Sequence, residues 1–473
     1  MTLVPTRVSA ECIRAVRFAS LATVGRACIA RLAAVSLALP LAAMSAEAQQ
    51  GLTSLSIGEA ARLAARQSGA VEVARTRVSA AEARVTQRRG ALYPDVAAGI
   101  QQASRTTNSA TFGFSLRDPQ GRPLLNPNGE IIGPIPTVDL RYRVQQPLVD
   151  LGNVAKWRAA QSATIAAEAE LSAQAEGAAA VAAFAYIRAA RTDAQVAARV
   201  ADSSLAADLL RIARDQLQAG VGIALDVTRA QSQLAATRAQ LIMARNDRDR
   251  SLLELKRAIG MSLDAPLALR DSLATLPREA PVSENQAALV QGSESRADIQ
   301  SLIAQGTAQR RALSSIRWER TPQLGLLFDQ GALGKSWSHL LPTYTWGVQL
   351  SVGLFDGFRR EGRVQEQIAA GRETDARLRE LRAQSALEVR AALLDLGAVR
   401  EQLDAVGERL ALAEQEVAQA QERFRAGVAG NGDVISALLS LNSARTLRID
   451  VLASYQTARI GLARAVGRVR ELP

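Results

Sequence analysis

The feature that most restricts the folds open to this chain is a duplication. Residues 214–260 align without a gap on residues 421–467 at an offset of 207, with thirteen identities in forty-seven positions. The matches include Gly220/Gly427, Val221/Val428, Asp226/Asp433, Leu234/Leu441, Arg238/Arg445, Ile242/Ile449, Leu255/Leu462 and Gly260/Gly467. Each copy reads as a long helix, a turn containing Ala-Gly-Val, an Asp-Val step, and a second long helix returning antiparallel. A period this long marks a duplicated structural unit and not a short solenoid repeat.

Proline placement extends the unit upstream. Ser56 and Glu59 have the spacing of a capping box and open a helix over 57–92, which Pro94 stops. Apolar residues then alternate at Val96, Ala98 and Ile100, and after a loop over 118–136 they alternate again at Val138, Leu140, Tyr142 and Val144. Asp139, Arg141, Arg143 and Gln145 take the opposite face, which is the period of a strand. From 153 to 219 there is no proline and almost no glycine, so one helix of roughly 100 Å is expected. Asp226 is placed to cap its returning partner.

The scheme restarts after an irregular connection containing Pro266, Pro277 and Pro281. A helix over 295–320 ends at Pro322; Leu324, Leu326 and Phe328 alternate as a third strand; a loop covers 331–342; and Tyr344, Trp346, Val348, Leu350 and Val352 form a fourth. In the second long helix, Leu396, Val399, Leu403, Val406, Leu410, Ala413, Val417, Ala420 and Phe424 step by three and four, the seam of a coiled coil. The organisation expected is a signal peptide over 1–48, a first repeat over 49–260 (β-hairpin 94–148, helical hairpin 153–260), a linker over 261–293, and a second repeat over 294–473 (β-hairpin 322–355, helical hairpin 357–467).

Composition narrows the function. Both cysteines, Cys12 and Cys28, precede the apolar run 32–44 and an Ala46-Glu47-Ala48 site suited to signal-peptidase cleavage. That run is shorter than a spanning helix needs, and no later segment supplies one. The net charge of +11 comes from Arg interspersed with Asp and Glu along the helices, a solvated face and not a nucleic-acid patch. With His339 the only histidine, the inventory holds neither a conventional zinc site nor a Ser-His-Asp triad, and no cofactor, metal or catalytic residue is expected. Twelve of the sixteen aromatic residues beyond the signal segment lie around the four strands, where a transmembrane barrel meets its lipid interfaces. Four strands cannot close a barrel, and an open edge in lipid leaves backbone groups unpaired, so chains must associate.

This ordered set resembles the TolC-like outer-membrane factors, the exit ducts of bacterial efflux pumps and type I secretion systems. The likeness rests on the duplicated plan, the Pro94 and Pro322 breaks, the strand-to-helix steps at 148–152 and 354–357, and the paired turns 217–227 and 424–434. It implies an α+β, mainly α fold: a homotrimer with a twelve-stranded barrel in the outer membrane and a helical coiled-coil tunnel in the periplasm. It further implies that Gly220, Val221, Gly427 and Val428 at the hairpin tips meet a periplasmic adaptor protein, which links the duct to an inner-membrane transporter. Asp226, Asp433 and Phe424 then fall at an iris-like periplasmic gate, while Ala429 and Ser436 stand where some members carry charged residues of that network. Lipid-facing residues would be Val138, Leu140, Tyr142, Val144, Tyr344, Trp346, Val348 and Leu350. A reading from another class remains open: a soluble periplasmic coiled-coil adaptor or scaffold, with each β-hairpin a small sheet packed on a core.

Overall fold

The structure is a computed structural model that describes residues 53–113, 117–121, 123, 124, 126, 128–276 and 286–473. The expected signal peptide, with Cys12 and Cys28, and the connection around Pro277 and Pro281 lie outside the described residues. Two repeats are laid out in the same order. The first holds β1 (Thr53–Leu55), α1 (Ile57–Gln67), α2 (Gly69–Gly90), β2 (Asp95–Asn108), β3 (Ile131–Val149), α3 (Leu151–Gln218) and α4 (Ala224–Ile259). After β4 (Leu267–Leu269), the second holds α5 (Gln286–Ser293), α6 (Ala297–Trp318), β5 (Gln323–Gly334), β6 (Leu340–Ser351), α7 (Arg359–Arg425) and α8 (Asn431–Val466).

Helices α3 and α7 run 68 and 67 residues, and α4 and α8 run 36 each, so the duplication is preserved almost residue for residue in three dimensions. The shared glycines explain themselves. Gly220 and Gly427 follow the long helices at φ +75° and +71° and donate back to the carbonyls of Leu217 and Phe424, while Val221 and Val428 donate to Gln216 and Arg423. Gly260 and Gly467, at φ +74° and +78°, end α4 and α8 the same way. This is the Schellman ending, which needs a left-handed residue that glycine adopts without steric cost.

Several expectations need correction. The helix over 57–92 is two: Ser68 takes an extended conformation between α1 and α2, where Gly260 closes in, its position leaving no room for a Cβ against the Gln67 carbonyl. The capping box at Ser56 and Glu59 is present. Strands of the first hairpin are longer than alternation suggested, at 14 and 19 residues, because β3 starts inside the Pro- and Gly-rich stretch read as loop. The loop expected over 331–342 shrinks to the residues between Gly334 and Leu340. Helix α3 starts at Leu151, where Asp150 accepts the Asn153 amide, and α7 starts at Arg359 after a left-handed Phe358. Part of the span read as linker is the short helix α5.

The four long strands form one antiparallel sheet in the order β2-β3-β5-β6, so the two repeats meet at β3 and β5. β1 pairs with β4 at the level where α1, the middle of α3 and the C-terminal parts of α4 and α8 share a core around Tyr186, Ile187, Leu255 and Ile460. A second core near the hairpin tips joins all four long helices through Leu209, Leu234, Leu410, Phe424, Val434 and Leu441. The coiled-coil seam is borne out: Leu396, Val406, Leu410, Ala413, Val417 and Phe424 are buried. No helix among the described residues is long and apolar enough to cross a membrane.

Candidate functional site

The candidate functional residues fall in two regions, one at each end of the long helices. At the far end from the sheet, the turns Gly220–Val221 and Gly427–Val428 project with both valines largely exposed. Asp226 and Asp433 do not cap their helices. Ile223 and Gly430 hold the N-cap positions, and each Asp is the third helical residue, where a carboxylate complements the helix dipole without bonding the free amides directly. The helices begin earlier than expected because the Schellman turns are tight, leaving only a few residues between the paired helices. Asp433 is exposed and Asp226 half-buried.

Phe424 is 4% exposed, packed in the tip core. Its backbone carbonyl accepts the Gln216 Nε2 amide at 2.9 Å, and the Asp226 carbonyl accepts the Asn431 Nδ2 amide at 2.8 Å. The two hairpins are thus cross-tied at their ends by one carboxamide from each. Neither Gln216 nor Asn431 had a signal in the sequence, since a polar residue beside a helix end has many ordinary uses.

At the other end, the register of the sheet sorts its side chains into two faces. Leu140 lies opposite Ile100 and Ala332, Tyr142 opposite Ala98 and Gln330, and Val144 opposite Val96 and Phe328; Phe328 in turn lies opposite Trp346, and Leu326 opposite Val348. Residues directly opposite share a face, so the alternation of four separate segments assembles into one apolar surface. Tyr344, Trp346, Val348 and Leu350 are exposed on it, as are Leu140 and Tyr142, while Val144 is half-buried. Val138 is the exception at 2% exposure: its own chain covers it, so it is not available to lipid as expected.

The other face is polar. Arg141 donates to Asp139 at 2.7 Å and to Asp329 at 3.0 Å, and Arg143 reaches Asp329 at 3.4 Å. This cluster joins β3 to β5 and so one repeat to the other. Its centre, the buried Asp329, has no signal in the sequence, where it is the single charge on its strand. Among the described residues no group of three or more His, Cys, Asp or Glu could hold a metal ion.

An apolar face backed by a polar one, on a sheet with two open edges and very long helices beneath it, is the fold of an outer-membrane channel protomer. The Campylobacter jejuni CmeC outer membrane channel superposes with a TM-score of 0.68 at 17% identity, covering 87% of this chain and 85% of that one. The Vibrio cholerae outer membrane protein VceC gives 0.66 at 20% identity, covering 87% and 96%. The open state of the Neisseria gonorrhoeae MtrE channel gives 0.66 at 15%, covering 87% and 88%. No curated protein matches the sequence significantly. The family model described as outer membrane efflux protein matches residues 60–261 and 288–468, one stretch in each repeat, and the chain belongs to that family. It is an outer-membrane exit duct for efflux. The hairpins are not small sheets packed on a core, as the scaffold reading required; they join in one sheet with a bare apolar face.

Proposed function

We propose that three copies associate to close a twelve-stranded barrel, and that efflux cargo passes through it from a tunnel of helices in the periplasm. The observation that carries this reading is the pair of unpartnered sheet edges, β2 and β6. In lipid their amides and carbonyls have no water to bond, so a further strand must complete each. The duplication says what else meets. Ile460 of α8 and Ile187 of α3 are buried in the same core, and Ile449 packs at its margin. Their counterparts at the same offset are Leu253 and Ile242 on α4 and Leu394 on α7, all exposed in the single chain. The α3–α8 contact made within a copy is therefore the template for an α7–α4 contact between copies.

Tip residues support the rest of the proposal. Asp226 and Asp433 contribute a ring of like charge at the tunnel entrance, and Phe424 anchors the helix ends that bear it. The exposed Gly220–Val221 and Gly427–Val428 turns dock a periplasmic adaptor, through which an inner-membrane transporter supplies the energy. A mature chain without cysteine makes the assembly directly testable. Leu253→Cys combined with Leu394→Cys is expected to give, on oxidation, a ladder of linked species ending at three copies; a chain that stays monomeric under the same treatment overturns the arrangement. Asp433→Ala is expected to raise single-channel conductance in planar bilayers, and an unchanged conductance removes the gate assignment alone.

A further inference from the structure

The junction between sheet and helices gathers charge that the linear sequence scatters. The strand register sets Asp95, Gln145 to Val149, Gln323 and Ser351 at one end of the sheet, so the end of α2, the start of α3, the end of α6 and the start of α7 all meet there. Within eleven residues of those strand ends (84–94, 150–160, 312–322 and 352–362) the chain has nine Arg and Lys against four Asp and Glu. The whole chain has 57 against 46, so the excess is concentrated at this level.

The acids present are already engaged. Glu319 binds Lys156 at 3.0 Å and Arg363 at 2.5 Å, and Glu361 pairs with Arg320. Arg84, Arg88 and Arg317 remain exposed, and the Nε of Arg360 is buried with no partner among the described residues. Arg359 and Arg360 open α7, where the Asp356 carboxylate accepts the Arg360 amide at 3.1 Å and Glu361 lies in the first turn, so the helix end is already complemented and the two guanidinium groups add positive charge beside it. The charge left over is that of the exposed arginines around it, whose planar fork suits phosphate oxygens. Two grooves lie at this level. One of about 810 Å³ is walled by Arg84, Arg88, Lys156 and Arg363, with Glu170 and Glu319 among them, over a floor of small alanines on α3, and one of about 350 Å³ is lined by Arg317, Arg320 and Arg360 with Glu361.

What surrounds the cations identifies the anion. Tyr93, Trp318, Phe355 and Phe358 stand exposed at three of the four junctions and Leu151 at the fourth, and Leu354 is 92% exposed. Aromatic and apolar groups beside cations at the rim of an apolar sheet are the composition of a bilayer interface, where acyl chain and headgroup are met together. A soluble anion would have no use for the bare apolar groups. We propose that this junction is a cationic collar that binds the phosphate groups of anionic phospholipids in the leaflet facing the helices.

The test uses the assembled full-length protein in nanodiscs, comparing retention of phosphatidylglycerol with that of phosphatidylcholine. At low salt phosphatidylglycerol is expected to be retained about fivefold more, and the preference to vanish in about 1 M salt, where charges are screened beyond ~3 Å. The combined variant R84Q/R88Q/R317Q/R320Q is expected to lose most of the preference while keeping its oligomeric migration. Equal retention of the two lipids by the unaltered protein overturns the proposal even if that variant fails to assemble. A further arm adds inorganic phosphate against chloride at matched ionic strength: undisturbed lipid supports the collar, whereas displacement by phosphate assigns the grooves to a soluble anion and overturns it.

Discussion

Helices α4 and α8 are two copies of one element with the same length and the same ending, yet α8 buries seventeen residues and α4 only six. The difference lies in what flanks them. Helix α8 runs between α7, its hairpin partner, and α3 of the other repeat, whereas α4 has α3 on one side and little on the other. Equivalent positions therefore have opposite fates: Ile460 is buried and Leu253 exposed, and Arg445 is ion-paired while Arg238 faces solvent. A duplicated chain shows in one copy how a surface is meant to be covered and in the other the same surface bare. Burial within one chain thus understates what the element is built to bury.

Four experiments would break or sharpen this comparison. The largest effect is expected where a charge is buried. The Asp202 side chain is 1% exposed between Arg199 at 3.1 Å and Arg445 at 3.2 Å. Burial pushes its carboxyl up, and the two guanidinium groups oppose that push. Removing Arg445 by alanine substitution should cost about 3 kcal/mol in a denaturant melt, against about 0.5 kcal/mol or less for Arg238→Ala; similar losses would mean that α4 is as covered as α8. Next comes Ile242→Ala, expected to leave the dissociated chain unaffected but to weaken each contact between copies by about 2 kcal/mol. The temperature at which oligomers dissociate on semi-native gels reads this. Gly220→Ala and Gly427→Ala should cost about 1–2 kcal/mol each, and equally, because the left-handed turn is common to both copies; unequal melting shifts would show that the tips are not equivalent. The smallest effect concerns Glu319, which ties α6 to α3 and α7. Burial pushes its carboxyl up, but hydrogen bonds from Arg363 and Lys156 outweigh this and hold it below the usual range. A carboxyl made more acidic by folding contributes stability above its unfolded value of about 4.5 and loses it as the pH falls through the folded value. Acid titration of the melting temperature should show that loss, and Glu319→Gln should abolish it.

Much of the fold was legible because it rests on local signals that repeat. The capping box, the seam from Leu396 to Phe424 and the alternation from Tyr344 to Leu350 each follow from one segment's own periodicity. What escaped depends on contacts between distant segments. The break at Ser68 exists because Gly260 packs there, 192 residues later in the chain. The length of β3 is set by β2, whose ladder carries it through prolines that read as a loop. Asp329 gains its meaning only beside Arg141, and the collar only when four helix ends come to one level. The cap positions differ from expectation for a simpler reason: Asp in the third helical position and Asp at the N-cap leave nearly the same trace in sequence.

The cross-tie between hairpin ends has a mechanical consequence. Gln216 and Asn431 each grasp the opposite hairpin's backbone through a neutral amide, so the two tips of a chain are hitched together whatever the ionic strength. An aperture formed by three such chains would have three jaws to swing and not six, and a push on either tip of a pair would carry both.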